Sequence, residues 1–158
     1  MNRSATATQE LDTSTSEEFL TVYIESQMFG VPVLQIQDVL GEQDVTKIPL
    51  APPEIEGALN LRGRIVTAIN VRKRLGLPSV DRKNKRMSVV VEYENELYSL
   101  LIDKVGDVLS IENKFYESNP ATLDARWREI SQGIYRLDGQ LLVVLDVPKL
   151  LNNINNRD

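Results

Sequence analysis

The sequence predicts a mainly β fold, built as a pair of small barrels of about five short strands each, with short helices between. Three observations carry the prediction. Apolar residues alternate over short stretches such as Phe19-Leu20-Thr21-Val22-Tyr23-Ile24, where Leu20, Val22 and Ile24 share one side. Turn-forming residues recur between these stretches, among them Asp138-Gly139, a strong hairpin signal. The chain also repeats itself. Displaced by 69 residues, Ile36-Gln37-Asp38-Val39-Leu40 falls on Val105-Gly106-Asp107-Val108-Leu109. Displaced by 76, Gly57 falls on Gly133, Leu61 on Leu137, Gly63 on Gly139, Ile69 on Leu145, Val71 on Val147 and Lys73 on Lys149. Two copies are too few for a solenoid. Each half alone is close to the size at which a single core becomes marginal, so the halves are expected to share one.

Taken in order, residues 1–17 are rich in Ser, Thr, Asp and Glu and read as a disordered tail. Strands are expected from Phe19 and over Met28–Val33. Val33, Ile36 and Leu40 then stand three and four apart, which predicts a two-turn helix closed by Gly41, with Val39 outward. A short strand over Val45–Ile48 is stopped by Pro49. Pro52-Pro53 marks a loop, or the start of a helix. Two strands flank Arg62-Gly63, and a short helix over Val71–Leu75 ends at Gly76 and Pro78. A linker of about residues 77–86 carries the basic run Arg82-Lys83-Asn84-Lys85-Arg86, read as a solvated connection. It separates a subdomain of about 18–76 from one of about 87–151. The second half opens on a hairpin turning at Glu94-Asn95. A short amphipathic piece, Asp103–Leu109, follows, and Ser110–Leu123 reads as irregular. Asp124–Ile130 predicts a helical turn carrying the single tryptophan, Trp127. A hairpin turning at Asp138-Gly139 and a helix from Pro148 to Leu151 close the domain. Residues 152–158 are expected to fray.

Composition removes most chemistry. The chain has 158 residues, 18 Lys and Arg against 23 Asp and Glu, no histidine and no cysteine. Without histidine there is no Ser-His-Asp triad, imidazole metal site or histidine phospho-acceptor. Without cysteine there is no disulfide or thiolate zinc site. A formal charge of −5 argues against nucleic acid. Phosphate-cradling motifs are absent, and Glu92, Glu94 and Glu96 alternate about a turn facing water rather than a cleft. No catalytic residue, metal or cofactor is expected. No signal peptide and no apolar run long enough to span a bilayer is visible, so a cytoplasmic protein is expected.

The runs IQDVLGEQDVTKIP, PPEIEGALNLRGRIVTAINVRKRLG, VVVEYENELYSLLIDKVGDVLSI and GIYRLDGQLLVVLDVPKLL resemble the CheW family of chemotaxis coupling proteins over residues 18–151. The NLRG and IDKVGDVLSI segments are the most specific. The resemblance implies two SH3-like five-stranded barrels around a common apolar centre. It implies a non-enzymatic adaptor joining methyl-accepting chemoreceptor cytoplasmic tips to the histidine kinase CheA through the kinase's regulatory domain. It also implies recruitment to membrane-associated receptor arrays and ring contacts with other CheW-like domains. The kinase's regulatory domain shares the fold; with no kinase or response-regulator segment in the sequence, the stand-alone adaptor is expected. The alternatives are an adaptor of another chemosensory pathway, such as surface motility, and a small-ligand-binding β-barrel.

Arg62 is the leading interface candidate, because a planar guanidinium oriented by Asp38 can hold a carboxylate and stack on a partner. Ile36, Asp38, Leu61, Arg62, Val105 and Val108 are the receptor-binding candidates. Val39, Leu40, Gly57 and Asp107 are the kinase-binding candidates. If exposed, Val39, Val105 and Val108 would form a small apolar patch rimmed by Asp38, Asp107 and Arg62. Asn70 stands where the family often carries Asp, a residue kept at Asp146 in the second copy.

Overall fold

A computed structural model describes residues 15–78 and 86–155. The first half supplies β1 (Ser16–Ile24), β2 (Gln27–Pro32), β3 (Ile36–Leu40), β4 (Ile55–Leu61), β5 (Arg64–Asn70) and the short helix α1 (Val71–Arg74). The second supplies β6 (Met87–Tyr93), β7 (Glu96–Ile102), β8 (Lys104–Glu112), β9 (Tyr116–Glu117), α2 (Ala125–Arg128), β10 (Ser131–Leu137), β11 (Gln140–Leu145) and α3 (Val147–Asn155). The chain is mainly β, as expected.

The strands form two sheets, ordered β8-β1-β2-β11-β10-β9 and β3-β6-β7-β5-β4. The two orders are the same order. The 69- and 76-residue displacements set β3 on β8, β4 on β10 and β5 on β11, and the opening hairpin β1–β2 answers to β6–β7. Each sheet then reads third, first, second, fifth, fourth strand. In each sheet the opening hairpin comes from the other half. β2 joins β11 in parallel, and β7 joins β5 in parallel. The expected division near residues 76 and 87 therefore does not separate the sheets: the halves exchange hairpins, and each completes the other. Periodicity is blind to this, since a hairpin's pattern is unchanged whichever half it pairs with.

The exchange explains the apolar runs. One large core lies between the sheets and takes Val22, Ile24 and Phe29 from the first and Ile69, Val89, Val91 and Leu100 from the second, together with Trp127 and the α3 residues Leu150 and Ile154. Each sheet also curls over a smaller core: Phe19, Met28, Tyr135, Leu142 and Val144 in one, Val66, Val90 and Leu97 in the other. Leu142 and Val144 thus face the small core while Val143 and Leu145 face the large one. A strand buried on both faces reads as a continuous apolar run rather than an alternation.

The predicted helix over Val33–Leu40 is not formed. Val33–Gln35 makes one 3₁₀ turn, and Ile36–Leu40 pairs with β6 as an edge strand. The residues satisfy both periods, and open backbone on β6 decides for the strand. The expected strand over Val45–Ile48 reduces to one bridge, Thr46 to Ala58. Asp103–Leu109 is largely the long strand β8, which takes only Ser110–Glu112 from the expected irregular stretch; Asn113–Phe115 makes a 3₁₀ turn, Tyr116–Glu117 a two-residue strand, and residues 118–123 are irregular as expected. β8 also pairs with Ser16–Glu18, so β1 begins before Phe19. The closing helix runs on to Asn155, with Ile154 buried, instead of fraying after Leu151. The hairpin turns at Arg62-Gly63, Glu94-Asn95 and Asp138-Gly139, and the helices at Val71 and Ala125, form where expected. Most of the expected tail (residues 1–14) and linker (79–85) lies outside the described residues, as do residues 156–158.

Asn70 illustrates how the copies diverge. Its Oδ1 accepts from the Lys73 N–H at 3.1 Å and caps α1, as the Asp146 carboxylate caps α3 through Lys149 N–H at 3.0 Å. Its Nδ2 donates to Glu56 Oε1 at 2.9 Å. The 76-residue displacement sets Glu56 on Gln132, so one copy carries amide and acid where the other carries acid and amide. Burial pushes the Glu56 carboxyl up, but the Asn70 hydrogen bond and the Arg86 guanidinium outweigh it and leave Glu56 below its ordinary value. That stabilisation is present above the unfolded carboxylate value and is lost as pH falls through the folded one. Asn70→Asp would set two carboxylates against each other and reverse the sign. A loss of about 1 kcal/mol is expected at neutral pH in urea denaturation, shrinking as the solution is acidified and relieved by Glu56→Gln.

Candidate docking surface

The β4–β5 hairpin closes through Arg62 and Gly63, with φ of 50° and 84°. Both residues lie in the left-handed region, as a two-residue turn matching strand twist requires. Gly63 adopts it without cost, and its N–H donates to Asn60 Oδ1 at 2.9 Å. The Arg62 side chain leaves this tip and reaches β3, where Nη2 donates to Asp38 Oδ2 at 2.6 Å. β3 and β4 are opposite edges of their sheet, so the ion pair spans the closure of the barrel. Asp38 Oδ1 accepts from the Val39 N–H at 2.8 Å. The Arg62 hydrogen bond first, and the Val39 N–H second, hold the Asp38 carboxyl below its ordinary range. The Arg62 side chain stays 74% exposed against 23% for Asp38. The guanidinium is thus aimed by Asp38 while its remaining donors face solvent.

The other sequence candidates separate by burial. Ile36 and Val105 are half-buried against the large core. Leu40 and Leu61 pack on Val66, Val90 and Leu97 inside the barrel. Val39 and Val108 are exposed, at 37% and 53%. Asp107 is exposed, and its carbonyl accepts from Thr21 Oγ1 at 2.7 Å. Gly57 is buried beneath the Thr46 backbone, where it serves close packing. The structure brings Asp38, Arg62 and Leu61 together. It puts Val105, Asp107 and Val108 on β8, the outer strand of the other sheet, and no hydrogen bond or ion pair among the described residues links the two groups.

Several exposed apolar residues escaped the sequence reading. Ile65, 68% exposed, lies directly across β4–β5 from Asn60, beside the Arg62 turn. Strand alternation gave the signal, since it sets Ile65 on the face opposite buried Val66. Leu34 is 95% exposed in the 3₁₀ turn, a position hidden by the mistaken helix. Leu50 projects fully into solvent at φ 62°. With the ion pair, these residues leave apolar and charged side chains exposed on the surface. No group of three or more acidic residues suited to a metal occurs among the described residues, and no described helix is long and apolar enough to cross a membrane.

Comparison with known proteins gives the same picture. A family model described as a CheW-like domain matches residues 18–155. The chemotaxis protein CheW of Thermotoga maritima is 30% identical over 142 residues, covering 89% of this chain and 91% of that protein. The chemotaxis protein CheW of Bacillus subtilis is 24% identical over 138 residues, covering 87% and 88%. The crystal structure of the scaffolding protein TtCheW from Thermoanaerobacter tengcongensis superposes with a TM-score of 0.76 at 25% identity, covering 85% of this chain and 91% of that one.

Proposed function

Because the chain belongs to the CheW-like domain family, a chemotaxis scaffold and not an enzyme, we propose that it couples chemoreceptor cytoplasmic tips to a CheA-type histidine kinase. The observation that carries this reading is the family match over residues 18–155, which takes in both sheets and leaves neither half unassigned. An adaptor needs two separable faces. The duplication supplies residues for both on two outer strands, β3 of one sheet and β8 of the other. Individually weak contacts suffice when an array holds the partners at high effective concentration. In this reading Asp38 and Arg62, with Val108 on the other sheet, belong to the receptor face. Val39 and the exposed part of β8 around Asp107 belong to the kinase and ring contacts.

Reconstitution tests the proposal. Mixed with a receptor-tip fragment and the kinase, the chain should make autophosphorylation receptor-dependent, and omitting it should remove that dependence. Kinase output that follows the receptor equally well without the chain would overturn the reading.

The Arg62 contact carries its own prediction. Arg62→Ala should weaken capture of the receptor tip in a pull-down titration while leaving the melting temperature nearly unchanged, because an exposed ion pair adds little to stability. A variant that unfolds would instead make Arg62 a structural residue.

A further inference from the structure

We propose that Asn60 is the positioning residue for Arg62, locking the turn that presents the guanidinium to a carboxylate-bearing partner. The inference rests on the reading of Arg62 as a partner contact. The hydrogen bonds run in series. Asn60 Oδ1 takes the Gly63 N–H at 2.9 Å, which fixes the Arg62-Gly63 tip. The tip aims Arg62 Nη2 at Asp38 Oδ2, 2.6 Å away. Asp38 is held in turn by the Val39 N–H at 2.8 Å. The side chain of Asn60 is exposed and fills no core, so its bond to Gly63 is its contribution.

The second copy turns at the equivalent place with a different backbone, and without this device. The 76-residue displacement sets Asn60 on Arg136, Arg62 on Asp138 and Gly63 on Gly139. Arg136 there turns away to Glu117, with Nε 2.9 Å from Oε2, and of the two tip residues only Gly139 has a positive φ, at 78°, so Asp138 stays out of the left-handed region. The second tip thus holds no non-glycine residue in the left-handed region, and a lock accompanies only the tip that does. The first copy alone carries a long cation at the tip, and it alone has the lock. Arg62 makes no second ion pair or hydrogen bond among the described residues, so Nε and Nη1 remain for a partner. With one side of the fork taken by Asp38, the open side fits a second carboxylate.

The test reads Asp38 directly. Its carboxylate is titrated by NMR in the wild type, Asn60→Ala and Asn60→Ser, and a receptor-tip fragment is titrated against each. In Asn60→Ala the Asp38 value is expected to rise toward that of an ordinary carboxylate. Affinity for the fragment should fall roughly fivefold, about the worth of one ordering hydrogen bond. The melting temperature should hold. Serine, whose hydroxyl also accepts from a nearby N–H, should recover most of both effects. An Asp38 titration that does not move in Asn60→Ala overturns the positioning role. A titration that moves while affinity does not upholds that role and overturns Arg62 as a partner contact.

Discussion

Replacing Asp103 with alanine should destabilise the domain by about 2 kcal/mol and loosen one seam between the sheets before the rest of the molecule. Asp103 stands between β7 and β8, where the chain leaves one sheet for the other. Its carboxylate takes Arg72 Nε at 2.8 Å and Nη2 at 2.6 Å, a two-pronged grip, and accepts the Glu25 N–H at 2.7 Å from the β1–β2 turn. Arg72 also donates to the Pro78 carbonyl at 2.9 Å and lies 3.8 Å from the Glu25 carboxylate. One carboxylate thus ties the α1 helix of one sheet to a hairpin turn of the other. The Arg72 side chain is only 13% exposed. Removing Asp103 takes both charge-assisted hydrogen bonds from a mostly buried cation and leaves it only the Pro78 carbonyl and the longer Glu25 contact, which costs more than losing a surface pair. The equivalent positions at the other crossing are Leu34 and Pro148, which cannot build such a clamp. Hydrogen exchange should therefore accelerate around residues 25–27 and 71–75 at denaturant concentrations where α3 is still protected. Arg72→Ala combined with Asp103→Ala should cost less than the sum of the two, since the double variant leaves no under-paired cation. Additive costs with uniform exchange would remove the clamp as a local feature.

The clamp also marks how far the sequence could be read. Strand periods, turn residues and the two displacements located most elements, the duplication and the shared core, because each is written in nearby residues. The Arg62–Asp38 pair was legible for a different reason: a cation at a hairpin tip needs a nearby acid, and the resemblance supplied one. The hairpin exchange was not legible, because β1–β2 and β6–β7 have the same pattern whichever sheet they enter. The strand at Ile36–Leu40 was misread because its apolar residues fit a helix equally well, and the deciding partner, β6, lies some fifty residues away. The Arg72–Asp103 pair joins residues thirty-one apart whose contact exists only once the sheets have exchanged strands. Burial of Gly57 went unseen for a related cause. A glycine shared by two copies can mark a docking surface or a tight approach, and only coordinates tell the two apart.

That approach yields the largest single-residue effect expected. Gly57→Ala should destabilise by about 3 kcal/mol, and Gly133→Ala by only about 1 kcal/mol, although the two glycines occupy the same place in the repeat. Each sits where its strand shifts register, between Ile55 and Gly57 in β4 and between Ser131 and Gly133 in β10. A methyl group on Gly57 would be driven into the carbonyl of Thr46. That backbone cannot retreat, because Thr46 and Ala58 exchange two hydrogen bonds of 2.8 Å. The φ of 155° adds a conformation that side chains resist. On Gly133 the methyl would instead meet the Tyr116 ring. Tyr116 is 43% exposed, its hydroxyl holds only the Gln132 carbonyl and its ring meets Tyr135 edge-on at 5.7 Å, so the ring can swing toward water at the cost of those two contacts. The difference follows from what stands opposite: fixed backbone in the first copy, a movable side chain in the second. Urea denaturation of the two variants should separate them clearly. Tyr116→Ala should erase the penalty of Gly133→Ala, and no single side-chain truncation should rescue Gly57→Ala. Equal costs at the two glycines would show that strand curvature, and not the opposing group, sets the requirement.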